Sequence, residues 1–335
     1  MCNSCGLCTA AKSEHHHSIA NKKLRFQGHK ESSSFSMALE AAEIQIPMPW
    51  GHVAAKAWGH PDGLPIIGVH GLQDNAATFD RLAPLLPTSF YLVSIDLPGH
   101  GLSSHLPKGT LYNFLDMMQV ITRIANHFNW KKFYYLGHSL GGQIGTYYAS
   151  LYPERVIKLV IVDAFRPGAI SENGYIAIFR SRHKKLLELE KKLENGKEPC
   201  YTYEEAKRRV LASRFSILTP DAADIFLNRS LRPNNGGYTF RLDQRLKFLV
   251  YPPHTNSQQI AIIGNLRCPF LLVKASESLP MYEMRTTQEL LTLLRMSSSV
   301  FEEIVVEGTH DVHLIHPERV STAVSTFLLH SKSQL

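Results

Sequence analysis

The sequence predicts an α/β protein with a mostly parallel, doubly wound sheet and a helical insertion. Three observations carry this reading. Short apolar runs at 65–70, 91–96, 131–136 and 156–162 alternate with segments of helical spacing, the pattern of strands joined by crossover helices. The third run stops at Gly137-His138-Ser139-Leu140-Gly141, and a helix-spaced segment from Gln143 to Tyr152 follows and ends at Pro153. Between 165 and about 262 the alternation gives way to charged, helix-forming stretches, and it resumes from 263 to the carboxyl end. The expected organisation is therefore a leader over 1–36, a first core part over 37–164, a helical lid over 165–262 and a second core part over 263–335.

At 335 residues with 44% hydrophobic content, the chain can bury one large core with an insertion. No run approaches the roughly 20 uninterrupted apolar residues that a membrane span needs, and no basic start leads into an apolar signal core, so a protein without a transmembrane segment and not secreted is expected. The net charge of +7 comes with no nucleic-acid motif and reads as a solvated basic surface. Five cysteines form no disulfide framework, which points to a reducing compartment. Cys2, Cys5 and Cys8 have cluster-like spacing, but Lys12 stands where a fourth ligand belongs, and His15, His16 and His17 sit in a polar stretch without an apolar face. The leader is accordingly expected to be disordered, with no metal and no cofactor bound, and Met37 stands as an alternative start.

In chain order, Ile44–Met48 and Val53–Trp58 alternate around Pro49-Trp50-Gly51, which predicts an antiparallel hairpin at a sheet edge. Pro65–His70 predicts a buried strand, Phe79–Leu86 a short helix, and Tyr91–Asp96 the next strand. A helix is expected over Asn113–Phe128, a strand over Lys131–Leu136 and another over Val156–Val162. Within the lid, helices are expected over His183–Asn195 and Tyr203–Ser216, punctuated by Asn-Gly, Pro-Asn-Asn-Gly-Gly and Pro-Pro. Pro269–Lys274 resumes strand character, Ala275–Ser278 is expected as a loop, Met284–Leu294 as a helix, Phe301–Val306 as the last strand and Pro317–Leu329 as the closing helix.

The stretch around Ser139 has the form of a nucleophile elbow, in which a sharp strand-to-helix turn exposes a serine hydroxyl at a helix N-terminus. Gly137 and Gly141 are required because a Cβ at either place would meet the neighbouring strand or helix. A serine needs a base, and the base an orienting carboxylate. His310, after Gly308-Thr309 at the end of the last strand, is the expected base, with His313 the lesser candidate and His316 nearer the closing helix. Two strand ends offer the acid: Glu277, to which the reading leans, and Asp163. Negative charge developing on a carbonyl oxygen needs two preorganised N–H donors, worth about 3 kcal/mol each in barrier height. Leu140 and Leu72 are expected to supply them, with Gln73 as fallback. His70 reads as a packed residue bracing that loop.

These residues resemble the α/β-hydrolase superfamily, and within it the serine hydrolase-like (kraken-type) family. The markers are Pro49-Trp-Gly-His-Val-Ala-Ala-Lys-Ala-Trp-Gly59, His70-Gly-Leu-Gln-Asp-Asn75 with Phe79-Asp-Arg-Leu82, Gly99-His-Gly-Leu-Ser-Ser-His105, Gly137-His-Ser-Leu-Gly-Gly142 and Asp243-Gln-Arg-Leu246. The resemblance implies an α/β-hydrolase fold, a cofactor-free serine hydrolase acting on a small-molecule acyl substrate, and a peroxisomal or cytoplasmic setting. The carboxyl end, Ser333-Gln334-Leu335, is similar to a peroxisomal address. The resemblance also implies an Asp a few residues beyond the strand at 269–274, where this chain has Ser278. Carboxylic ester or thioester hydrolysis through an acyl-enzyme is the leading expectation. Carbon–carbon bond hydrolysis with the same groups and non-catalytic small-molecule binding stand as alternatives. Oligomeric state and substrate are not expressed in the sequence.

Overall fold

The computed structural model describes residues 41–168, 172–196, 198–214, 216–278 and 280–330. The leader with its Cys and His residues and the carboxyl-terminal Ser333-Gln334-Leu335 lie outside the described residues.

The chain opens with β1 (Ala42–Met48) and β2 (Gly51–Trp58), paired antiparallel as the alternation predicts. Next come β3 (Leu64–Val69), β4 (Phe90–Ile95), α1 (Phe114–His127), β5 (Phe133–His138), α2 (Leu140–Leu151) and β6 (Val156–Val162). The lid contributes α3 (Glu172–Asn195), α4 (Tyr203–Ser213), α5 (Pro220–Ser230), a hairpin of β7 (Leu231–Asn234) and β8 (Gly237–Phe240), and α6 (Asn256–Ile263). The core closes with β9 (Phe270–Glu277), α7 (Arg285–Ser297), β10 (Phe301–Thr309), α8 (Val312–Ile315) and α9 (Pro317–Leu329).

The main sheet has the order β1-β2-β4-β3-β5-β6-β9-β10, parallel throughout except for the two pairings that β2 makes. Its central strands are apolar without alternation because both faces are covered. Ile67, Tyr135, Ile161 and Leu272 pack on the side of α1, α2 and α7, while their neighbours Ile66, Leu136, Val160 and Leu271 pack on the side of α9. No helix among the described residues is long and apolar enough to cross a membrane.

Three local expectations are corrected. The segment 79–86 is two 3₁₀ turns, Ala76–Phe79 and Ala83–Leu85, since Pro84 and Pro87 deny the N–H groups that an α-helix would need. The lid is not all helical: Asn235 and Gly236, both at positive φ, close the β7–β8 hairpin, so the Asn-Asn-Gly-Gly run is a turn between strands. The strand expected to end at Lys274 continues to Glu277, because β10 keeps pairing with it through Val306 and again at Thr309.

Candidate active site

Ser139 stands between β5 and α2 with φ 51° and ψ −115°, a conformation that a non-glycine residue holds only when its surroundings impose it. The imposing contacts are at hand. A Cβ on Gly141 would come within 2.0 Å of the Val69 carbonyl oxygen in β3, and one on Gly137 within 2.6 Å of the Gly141 carbonyl oxygen in α2. Only with both side chains absent can strand, turn and helix approach this closely. The Ser139 N–H is held by the carbonyls of Val162 and Asp163, each at 3.1 Å, which ties the turn to the end of β6.

Asp163 and Ala164 at that end also have positive φ, 46° and 88°. This second strained turn carries the Asp163 carboxylate inward, fully buried, where Oδ2 accepts a hydrogen bond from His310 Nδ1 at 2.6 Å. A buried carboxylate can only accept, so Nδ1 carries the proton and Nε2 is the basic nitrogen. The acid beside His310 is therefore Asp163. Glu277, favoured by the sequence, is exposed at the last position of β9: the extra length of β9 carries Glu277 outward, while the tight turn after β6 folds Asp163 under the imidazole. Ser278, at the position where the family resemblance implies an aspartate, donates its hydroxyl to Asp163 Oδ1 at 2.5 Å. Tyr282 joins it, its oxygen accepting the Ala164 N–H at 2.6 Å. Burial above all, with the Asp163 charge adding to it, raises the Tyr282 phenol well above its ordinary pKa.

The loop after β3 passes against the serine, since a Cβ on Gly71 would lie 3.1 Å from Ser139 Cβ. Two buried histidines brace it. His70 Nδ1 donates to the Gly71 carbonyl at 2.6 Å while Nε2 accepts the Leu97 N–H, and His100 Nε2 accepts the Gln73 N–H at 3.2 Å. The Gln73 N–H is thereby engaged, while Leu72 lies on this loop and Leu140 at the start of α2. His313 is fully buried, bonded through Nε2 to Thr78 Oγ1 at 2.7 Å and packed on His138 with ring centroids 4.1 Å apart. It is a packing residue, and His316 is a partly exposed flank of α9.

The sequence reasoning passed over a second layer. His138 Nε2 donates to the His310 carbonyl at 3.0 Å. From the lid, Arg214 reaches the buried Asp311 at 3.2 Å and Asp74 at 3.4 Å, one neighbouring His310 and the other two positions after Leu72. Asp74 and Asp311 lie inside loops that the motifs mark, whereas nothing in the sequence near Arg214 marks it. The Asp243-Gln-Arg-Leu246 marker is structural. Asp243 accepts the Tyr112 hydroxyl, and Arg245 donates to the carbonyls of Leu106, Pro107 and Thr110.

Four buried histidines make stability depend on pH. Burial pushes His100 and His313 down to about 4 and lowers His70 and His138 well below their ordinary value. The unfolded chain therefore binds more protons than the folded one between pH 6.5 and 4, so this contribution is complete above pH 6.5 and is lost as pH falls toward 4. Thermal melts are expected to show a steady fall in Tm across that window. A flat Tm between pH 7 and 5 would contradict the buried neutral state of these rings.

Ser139, His310, Leu72 and Leu140 open onto one cavity of about 1660 Å³, roofed by lid residues such as Val210 and Phe226. Residues 65–317 match the family model for the alpha/beta hydrolase fold. The chain is 36% identical to a probable serine hydrolase of Drosophila melanogaster, over 85% of this chain and 87% of that one. It is 32% identical to serine hydrolase-like protein 2 of Homo sapiens, over 86% and 94%. Among solved structures, a hypothetical protein of Pseudomonas aeruginosa superposes with a TM-score of 0.73 at 29% identity, over 85% of this chain and 97% of that one. The thioesterase domain of a curacin biosynthetic pathway shares the fold, with a TM-score of 0.69 at 21% identity, over 87% and 99%. With a strained serine, a histidine on a buried aspartate and a family match over most of its length, this chain belongs to the alpha/beta hydrolase fold family.

Proposed function

We propose that the protein is a serine hydrolase that cleaves carboxylic esters or thioesters through an acyl-enzyme. The observation that carries the reading is the Asp163–His310 hydrogen bond together with a serine held at positive φ, His310 and Ser139 both lining one cavity. Ser139 Oγ attacks the acyl carbon while His310 Nε2 takes its proton, and Asp163 stabilises the imidazolium that forms. The oxyanion is held by the N–H groups of Leu72 and Leu140. Collapse of the tetrahedral intermediate breaks the bond to the leaving oxygen or sulfur, which receives the proton from His310. Water then attacks the acyl-enzyme with His310 again as base, releasing the carboxylic acid and restoring Ser139. The names of the Drosophila and human relatives agree with this chemistry.

A fluorophosphonate probe tests it directly. Wild-type protein is expected to be labelled stoichiometrically on Ser139, and Ser139→Ala not at all. Equal labelling of the two proteins would sink the proposal.

A further inference from the structure

We infer that the cavity holds an anion-recognising subsite at Arg241, so that the substrate carries a carboxylate or phosphate group away from its scissile bond. This rests on the hydrolase reading of the same cavity and names its substrate class.

Arg241 follows β8 directly and lines the cavity that Ser139 and His310 open onto. Its position is set at three points. Its N–H donates to the Ser230 carbonyl at 2.7 Å, its own carbonyl accepts His105 Nε2 at 2.8 Å, and its Nε donates to the Leu231 carbonyl at 2.9 Å. Those bonds leave the two Nη groups with no protein partner among the described residues.

The neighbouring guanidiniums differ. Arg214 holds Asp74 and Asp311, Arg229 holds Asp96 and Glu43, Arg232 holds Glu198, and Arg245 holds Asp243 with three carbonyls. Each of these charges is balanced by protein. Arg241 makes no such pair among the described residues: it is half-buried with Arg232 and Arg229 as cationic neighbours, and the acid that acts on it, Asp96, is already held by Arg229. Burial first, then those two cations, lower its pKa against the smaller opposing pull of Asp96, so its protonated form is held at a cost that a bound anion would offset. A guanidinium fixed at Nε with both Nη groups open has the geometry for two-point contact with a carboxylate or phosphate.

The test compares two p-nitrophenyl esters of equal acyl length, mono-p-nitrophenyl glutarate and p-nitrophenyl pentanoate. Wild-type protein is expected to favour the anionic ester, with the preference shrinking in high salt. Arg241→Gln is expected to lower the ratio of kcat/KM, anionic over neutral, at least tenfold, and Arg241→Lys to lower it less. Titration calorimetry of Ser139→Ala with glutarate and with glycerol 1-phosphate reads the subsite without turnover and separates a carboxylate site from a phosphate site. The better ligand is expected to bind at least tenfold more weakly when Arg241→Gln is added. If neither ester is turned over but that binding loss is seen, the subsite stands and the hydrolase reading fails. If the esters are turned over, the ratio does not change in Arg241→Gln and neither anion senses Arg241, the subsite is overturned and the hydrolase reading survives.

Discussion

Asp163→Asn is expected to lower kcat on p-nitrophenyl acetate about 10⁴-fold, because an amide at this place no longer stabilises the imidazolium and can hold the wrong tautomer of His310. Glu277→Gln is expected to stay within about twofold, as a change at an exposed strand end should. The stronger test moves the charge. Ser278 Oγ lies 2.5 Å from Asp163 Oδ1, so a carboxylate at 278 would enter the space that Asp163→Ala vacates. The double variant Asp163→Ala with Ser278→Asp is expected to recover about ten- to a hundredfold of the activity lost in Asp163→Ala, since what His310 needs is a buried acceptor at Nδ1, whichever strand supplies it. An Asp163→Asn protein with more than a tenth of wild-type kcat would remove Asp163 from the mechanism. A severe loss in Glu277→Gln would restore Glu277 to it.

The second large effect is on stability. Arg214 joins the lid to two core carboxylates that are almost wholly shielded from water. Burial raises Asp74, and Arg214 only partly offsets this; burial also acts to raise Asp311, but there Arg214 and the polar groups around the carboxylate outweigh it and the net shift is downward. Arg214→Ala abandons both groups, and losing one member of a buried ion pair costs about 3–5 kcal/mol. Without the guanidinium both carboxylates would titrate at higher pH, so protonating them relieves the damage. The gap between wild type and variant in urea melts is expected to be widest near pH 8 and to narrow by pH 5.5. A gap below about 1 kcal/mol at both pH values would show that the lid is held by its apolar contacts instead. Those contacts are not negligible, because Phe226, Leu227 and Val210 of the lid share a cluster with Leu314 of the core.

What the sequence determined by itself is the part of the molecule governed by local rules. Continuous apolar runs became strands buried on both faces, glycine spacing around Ser139 became the elbow, and the break in alternation at 165 became the roof of the cavity. His310 was legible for a related reason: it follows a Gly-containing turn at the end of the last strand, and the order serine then histidine leaves few other places for a base. The choice between Asp163 and Glu277 belonged to tertiary structure. Both stand at the ends of strands that are neighbours in the sheet, and no periodicity separates them. Positive φ at two successive residues turns one carboxylate inward, while a few added residues of strand pairing carry the other to the surface. The same holds for Arg214, Asp74 and Asp311, and for Arg241. Their meaning comes from which charges lie opposite them across gaps of up to 140 residues, and charge balance in a folded interior is a property of positions in space that residue spacing along the chain does not express.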